Sequence, residues 1–328
     1  MQPFISVIMS CYNSSEWLAE SIQSILKQTY QDFEFIIIDD GSTDNSVSIM
    51  ESFAKIDPRI IICKKENSGL PESLNMGIEL SRGSWIARID CDDISEPNRL
   101  EQQLAVATSN NAIVFVGSDL LLIDAGGSTL SHHKFPTTHS ALLRNLLSHK
   151  KFPPHSSALF QASAARAVGL YRSRIIRSQD WDLWLRLSEK GLLASCPLPL
   201  VRIRQHPQQI TNDEHGNKSR VFNRIAVCSY WLRSLGLKDP VTDIDKNFNV
   251  FHDFIKNELV KAGAYENLIF IQSINQIRIK HTQRTLKFFQ IFIFSLSNPF
   301  RFSKYICYKF SQKNISKSIA LRWHKHHN

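Results

Sequence analysis

Asp32-Phe33-Glu34-Phe35-Ile36-Ile37-Ile38-Asp39-Asp40-Gly41-Ser42-Thr43-Asp44 carries the reading of the fold. Phe33 to Ile38 is a short strand-like run, apolar except at Glu34, that halts at two carboxylates and a glycine, the pattern of a buried strand running into a polar loop. Asp44 or Asn45 then caps a helix. Upstream, Phe4 to Met9 reads as another buried strand, and the segment after it puts Leu18, Ile22, Ile25 and Leu26 on one helical face. Downstream, Ile60 to Cys63 repeats the strand, Pro71 to Leu80 the helix, and Ser84 to Ile89 the strand once more. Alternating apolar strands and amphipathic helices, with connections too long for hairpins, predict an α/β domain whose mostly parallel sheet is covered by helices. In such sheets ligands bind beyond the carboxyl ends of the strands.

Those strand ends are rich in polar groups: Ser10, Tyr12 and Asn13 after the first, Asp39 and Asp40 after the second, Asn67 after the third, and Asp90-Cys91-Asp92-Asp93 after the fourth. Three carboxylates within four residues repel one another unless a cation or strong donors neutralise them. A hard divalent ion, Mg²⁺ or Mn²⁺, does this with oxygen ligands and commonly bridges protein carboxylates to a diphosphate. The plainer alternative is that these aspartates cap a helix beginning near Pro97. No GxGxxG follows the first strand, and no GxxxxGK[ST] occurs, which disfavours dinucleotide oxidoreductases and P-loop phosphotransferases.

Composition bounds the rest. The chain has 328 residues, 43% of them hydrophobic, enough for one large α/β domain and a smaller appendage. Its six cysteines are widely spaced, without a CxxC pair, and read as reduced cytosolic thiols. The N-terminus lacks the basic and apolar regions of a signal peptide, so a cytoplasmic location is expected. The net charge of +9 is confined to the tail: after Glu266 there are eleven Lys and Arg and no acid, leaving 28 basic and 30 acidic residues before it.

The stretches Ser6 to Asn13 (SVIMSCYN), Ser21 to Tyr30 (SIQSILKQTY) and Asp32 to Asp44 resemble the opening of the family 2 inverting glycosyltransferases. Asn67 to Gly77 (NSGLPESLNMG), Ala87 to Leu100 (ARIDCDDISEPNRL) and Asp180 to Leu187 (DWDLWLRL) resemble its later blocks, so the likeness covers about residues 3 to 212. It implies the GT-A fold over residues 1–215, a nucleotide-sugar donor, by default UDP-linked, and one-step displacement with inversion. Ser10, Tyr12 and Asp40 match positions that hold nucleobase and ribose, and Asn67 falls in the next block of that site. A tyrosine face stacks on a base and a carboxylate accepts from a ring N–H, although Tyr12 also suits a half-buried core position. Asp90 matches the first carboxylate of the DxD motif, near ribose or phosphate, and Asp92 the one that reaches the metal. Arg88 either compensates these carboxylates as an ion pair or touches the nucleotide.

The acceptor hydroxyl needs a base. The resemblance gives this role to Asp180, in a Gln179-Asp180 pair where relatives carry Glu-Asp; N-capping of a helix from Trp181 to Lys190 is its alternative, and Asp182 competes for the role. His206 falls in a segment matching a Tyr-Arg-x-His block, with Ile203 in place of the Tyr. It is a candidate metal or diphosphate ligand, or else a surface residue. His155 lies in a segment similar to one near the acceptor.

Residues 216–328 read as a mainly helical basic region, including Val221 to Leu235 and Phe251 to Ala262. Leu286 to Leu296 is apolar but too short to span a bilayer. The aromatic and basic residues that follow suit an anionic membrane surface on the inner face, or a helical cap with a solvated basic side. Expected partners are therefore the donor, a glycan or lipid-linked acceptor in surface-polysaccharide synthesis, and anionic lipid, not nucleic acid. Two rival classes fit less well. A sugar-nucleotide pyrophosphorylase would show a Gly-rich, Arg-containing loop where this chain has Cys11-Tyr12-Asn13-Ser14-Ser15, and a nucleic-acid-binding protein would give no reason for the acidic rim.

Overall fold

The computed structural model describes residues 5–207, 216–242, 247–261 and 316–325. The chain divides into two compact units, one spanning 1–146 and 150–209 and the other 147–149 and 210–328.

The first unit opens with the alternation expected from the sequence. Strand β1 (Ile5–Cys11), helix α1 (Leu18–Leu26), β2 (Phe33–Asp39), α2 (Ser46–Ala54), β3 (Ile60–Lys64), α3 (Leu70–Leu80) and β4 (Trp85–Arg88) follow in turn. Every residue of β2 is buried, which is why apolar side chains fill both of its faces; Glu34 inside it is held by the Ser6 hydroxyl at 2.6 Å and by Arg82 Nε at 2.8 Å. On α1, Leu18, Ile22 and Ile25 are buried as the helical spacing requires, and Leu26 is half-buried at the margin of the same face. These side chains share one core with Val7, Phe35, Ile37, Trp85 and Leu100. Each such side chain contributes about 1.5–3 kcal/mol when fully buried.

Beyond β4 come β5 (Ile94–Ser95), α4 (Arg99–Thr108), β6 (Ile113–Ile123), β7 (Thr129–His133) and α5 (His139–Leu147). A single 3₁₀ turn (His155–Ser157) then leads into β8 (Leu159–Gln161), α6 (Ala162–Ala167), α7 (Gln179–Leu187) and β9 (Leu192–Arg204). The sheet order is β3-β2-β1-β4-β8-β6-β9-β5, with β7 paired to β6. Strands β1 to β4 are parallel to one another. The far half is mixed: β8 inserts antiparallel between β4 and β6, and β9 runs parallel to β6. The helix expected near Pro97 begins at Arg99 and takes Asn98 as its N-cap, with β5 in between. The aspartates at 90, 92 and 93 therefore do not cap it.

In the second unit, α8 (Gly216–Ser234) and α9 (Asn247–Lys261) match the two helices expected there. They are joined by a helix over 316–325. Phe251 packs on Trp323 with ring centroids 4.8 Å apart, and the Cys228 thiol donates to the Ser316 carbonyl. Among the described residues no helix is long and apolar enough to cross a membrane. The apolar run Leu286 to Leu296 and the aromatic-basic stretch after it lie outside the described residues.

Candidate active site

The parallel half of the sheet ends in four loops, and hydrogen bonds fasten the first three to one another. Asn13, in a left-handed conformation with φ 48°, accepts at Oδ1 from the Thr43 N–H at 2.8 Å and donates its own N–H to Ser42 Oγ at 3.0 Å. The Ser15 N–H reaches Asp44 Oδ2 at 3.0 Å. Asp40, almost fully buried, accepts from the Ser68 and Gly69 N–H groups, each at 2.9 Å, and pairs with Lys65. Gly41 is required between them. Its φ is +80°, and a Cβ there would stand 3.0 Å from the Asn67 nitrogen. Ser10, half-buried, Tyr12, Asp40 and exposed Asn67 are thereby gathered on adjoining strand ends. Tyr12 is 51% exposed, so its ring belongs to the surface of this rim and not to the core.

The fourth loop carries the acids. Arg88 is buried on β4 and pairs with Asp90, two residues on, while its Nη1 donates to Ser156 Oγ at 2.9 Å. Burial works to raise the Asp90 pKa, but the charge and hydrogen bond of Arg88 outweigh it and hold the carboxyl below its ordinary value. Asp92 faces His206, Oδ2 to Nε2 at 2.9 Å. Its carboxyl is pushed above the usual range, first by burial and then by the charge of Asp90. Asp93 is raised further still by burial and by both neighbouring acids; its oxygens are occupied by the Arg204 N–H at 3.0 Å and by Ser156. Ligand atoms of Asp90, Asp92 and Asp93 lie within 4.8 Å of one another. Such a cluster, with Asp92 partly exposed beside an imidazole, is a donor set suited to a hard divalent cation.

His206 is buried, not on the surface, and packs against Trp17 with ring centroids 4.1 Å apart and planes tilted by 40°. Arg204 fixes this corner by donating to the Asp92 carbonyl at 3.1 Å and to that of Ala125 at 2.8 Å.

Asp180 sits in the first turn of α7. The N-cap of this helix is Ser178, with φ 56°, so Asp180 is not the cap. Burial raises the Asp180 pKa, against the Trp181 backbone N–H and the charge of Arg88, and the charge of Asp90 raises it again. Asp180 is thus within electrostatic reach of the DxD loop. Asp182 is excluded as a base: it has no exposed surface and is gripped by Arg172 and by Arg186, the latter at 2.7 Å. His155 shares a 2.7 Å hydrogen bond with the Tyr171 hydroxyl, and burial, followed by the charge of Arg88, pushes its pKa well down.

Ser156 was not singled out by the sequence reading. Its buried Oγ lies 2.9 Å from Arg88 Nη1, 3.1 Å from the Asp90 nitrogen and 2.8 Å from Asp90 Oδ2, and also contacts Asp93. The only signal was its place in Pro153-Pro154-His155-Ser156-Ser157, where a 3₁₀ turn presents the hydroxyl to the end of β4.

Comparison with known proteins places this arrangement. The family model described as glycosyl transferase family 2 matches residues 6–169. The chain is 31% identical over 277 residues to an uncharacterized glycosyltransferase of Haemophilus influenzae, covering 80% of this chain and 85% of that one. It is 40% identical over 119 residues to the glycosyltransferase GlyG of Streptococcus pneumoniae, covering 36% and 40% of the two. Its fold is similar to the crystal structure of S. aureus TarS 1-349 in complex with UDP, with a TM-score of 0.58 at 14% identity over 98% of this chain and 92% of that one. It is also similar to the mannosyltransferase PcManGT from Pyrobaculum calidifontis in complex with GDP-Man and Mn²⁺, with a TM-score of 0.55 at 13% identity over 98% and 88%. At such identities the structural likeness speaks for the fold alone, which is GT-A. The chain belongs to glycosyltransferase family 2.

Proposed function

We propose that this glycosyltransferase moves a sugar from a nucleoside-diphosphate donor, UDP-linked by preference, to an acceptor hydroxyl with inversion at the anomeric carbon. The observation that carries the reading is the cluster of Asp90, Asp92 and His206 beyond β4, at the strand ends that Tyr12 and Asp40 also border, with the half-buried Asp180 near enough to feel the charges of Arg88 and Asp90. Support for the donor class comes from structural neighbours solved in complex with UDP, UDP-GlcNAc or GDP-Man.

Tyr12 offers an exposed ring for stacking on the base. Asp40 orders the Ser68-Gly69 turn and pairs with Lys65, and since a carboxylate has about four acceptor sites it keeps one for a base N–H. Ser10 and Asn67 border the same nucleoside end. Asp90, held by Arg88 and Ser156, is oriented toward ribose or phosphate. Asp92 and His206 would hold a Mn²⁺ or Mg²⁺ ion, which supplies positive charge to the departing diphosphate. Asp180 takes the proton of the acceptor hydroxyl as its oxygen bonds to the anomeric carbon and the bond to the diphosphate breaks, the electron pair leaving with the diphosphate. Burial, which raises its pKa, makes it a stronger proton acceptor than a free carboxylate.

The acceptor we assign is a glycan or lipid-linked glycan of the cell surface, met at the cytoplasmic membrane face through the basic, aromatic tail. Release of UDP from a panel of UDP-sugars, with Mn²⁺ and with chelator, tests the reading. Turnover that needs the cation is expected. Equal turnover in chelator, or none with any nucleotide-sugar, would refute it.

A further inference from the structure

Residues before Glu266 are nearly balanced in charge overall, but the balance is uneven along the chain. From Ala125 to Gln179 there are eight Lys and Arg and not one Asp or Glu, and this stretch ends at Asp180. Two of the eight are occupied inside the fold: Arg172 pairs with Asp182, and Arg166 donates to the Ile78 and Ser81 carbonyls at 2.7 and 2.9 Å. Among the described residues Lys134, Lys150, Lys151 and Arg177 meet no carboxylate, and the half-buried Arg177 makes no hydrogen bond. Two elements carry these cations to the start of α7. Upstream, residues 171–178 form a loop pinned at several points. The Asn75 side chain brackets the Tyr171 backbone, donating to its carbonyl at 2.7 Å and accepting its N–H at 2.9 Å, Arg172 is held by Asp182, and the Ile175 N–H reaches the Arg172 carbonyl at 2.8 Å from a fully buried side chain. Left-handed Ser178, with φ 56°, ends the loop, so Arg177 is fixed three residues ahead of Asp180. On the other element, Trp181 donates Nε1 to the Leu146 carbonyl at 3.1 Å and its ring centroid stands 6.2 Å from that of Phe152. The turn ending in Lys151 therefore abuts the first turn of α7. Asn145 holds it by donating to the Lys151 carbonyl at 2.8 Å, and Lys151 Nζ lies 3.3 Å from His133 Nδ1.

We propose that Arg177 and Lys151, on the two elements that meet the first turn of α7, bind a phosphate group carried by the acceptor next to the hydroxyl that receives the sugar; this rests on the reading of Asp180 as the base. Cations gathered without carboxylates repel one another, and an arginine held partly out of water lacks a counter-charge, so an arriving anion is favoured on both counts. A guanidinium forks onto two phosphate oxygens, and an ammonium adds a point charge. The donor diphosphate is met at the other end of the site, by the cation that Asp92 and His206 would hold. An anion taken up beside Asp180 therefore belongs to the acceptor. One link of a phosphodiester glycan and the diphosphate that joins a sugar to a lipid offer the same oxygens to these residues.

The full-length protein, loaded with UDP and Mn²⁺ so that the donor site is filled, is titrated calorimetrically with poly(glycerol phosphate), with farnesyl diphosphate and with maltohexaose, a neutral glycan. At least one phosphate probe should bind, and which one does identifies the source as phosphodiester glycan or lipid diphosphate. Arg177→Gln should weaken that probe about 10- to 100-fold, the loss expected for a hydrogen bond between charged groups, and Lys151→Gln should weaken it as well. UDP affinity and melting temperature should stay at the parent values, since replacing Arg177 strips no contact from the described fold. Parent and variants carry the same basic tail, so a polyanion held by the tail alone would bind them equally. Equal affinity of parent and Arg177→Gln for both phosphate probes, binding of neither, or maltohexaose bound as tightly as the phosphate probes would overturn the proposal. Should the parent bind no UDP, the donor-site reading fails, while the comparison of parent with Arg177→Gln still decides the phosphate site.

Discussion

Replacing Ser156 by alanine removes one oxygen at which several charges meet. Its Oγ lies 2.9 Å from the Arg88 guanidinium and 2.8 Å from Asp90 Oδ2, accepts the Asp90 N–H at 3.1 Å and touches Asp93, and the residue is 1% exposed. A hydroxyl has one proton and two lone pairs, so Arg88 and the Asp90 N–H fill the acceptor sites and the two carboxylates compete for the proton. A hydrogen bond to a charged group is worth about 1.5–3 kcal/mol. Because one proton serves two acids these bonds are not additive, and the expected destabilisation is about 2–4 kcal/mol. For a unit of this size that lowers the melting temperature by roughly 4–16 °C. Well below melting, loss of a group that orients a metal-site carboxylate should weaken Mn²⁺-dependent UDP binding about 10- to 100-fold. Ser156→Thr keeps the hydroxyl and should recover most of both effects. Differential scanning calorimetry and isothermal titration read the two quantities separately. An alanine variant that melts and binds like the parent would refute the argument, and one that melts early but binds normally would confine Ser156 to stability.

Asp180→Asn should lower turnover by about 10²- to 10⁴-fold, the range for losing a general base, with donor affinity nearly unchanged in titration. In the parent enzyme the base must be ionised, and burial raises its pKa. kcat/KM should therefore climb with pH through a limb lying above the ordinary carboxylate range of about 4; a limb at or below that value would reject the assignment. Asp182→Ala strands Arg172 and Arg186 without their shared carboxylate, at a cost of about 3–5 kcal/mol, and chemical denaturation should show it. Liposomes of anionic lipid should sediment the full chain at low salt but not a chain truncated before Thr285, since each basic residue near such a surface adds about 1 kcal/mol; equal partition of the two would reject the membrane role.

The parts of this fold that were legible beforehand are those governed by local pattern. Phe33 to Ile38 read as a buried strand, and the acids at the end of β2 and just beyond β4 marked the rim. What lay beyond reading depends on partners distant in sequence. Nothing near Ser156 reveals that it meets Asp90 from 66 positions away, or that β8 threads antiparallel between β4 and β6. Asp180 was preferred to Asp182 as the base only through the family resemblance. Two residues apart on a helix they point about 200° apart, and Asp182 shares its side with Leu185 and Arg186, both buried. Asp182 is thereby turned into the arginine pair, while Asp180 stays half-buried. The capping role considered for Asp180 was displaced because Ser178 adopts a left-handed conformation and starts the helix two residues earlier than expected.

The central claim is a cation-dependent nucleotide site built on Asp92. Isothermal titration of UDP into the parent chain and into Asp92→Asn, each with Mn²⁺ and with chelator, tests it most directly. The account predicts binding by the parent only with Mn²⁺, and its loss in Asp92→Asn at an unchanged melting temperature. Equal affinity in the two proteins, or binding by the parent that ignores the cation, would contradict it.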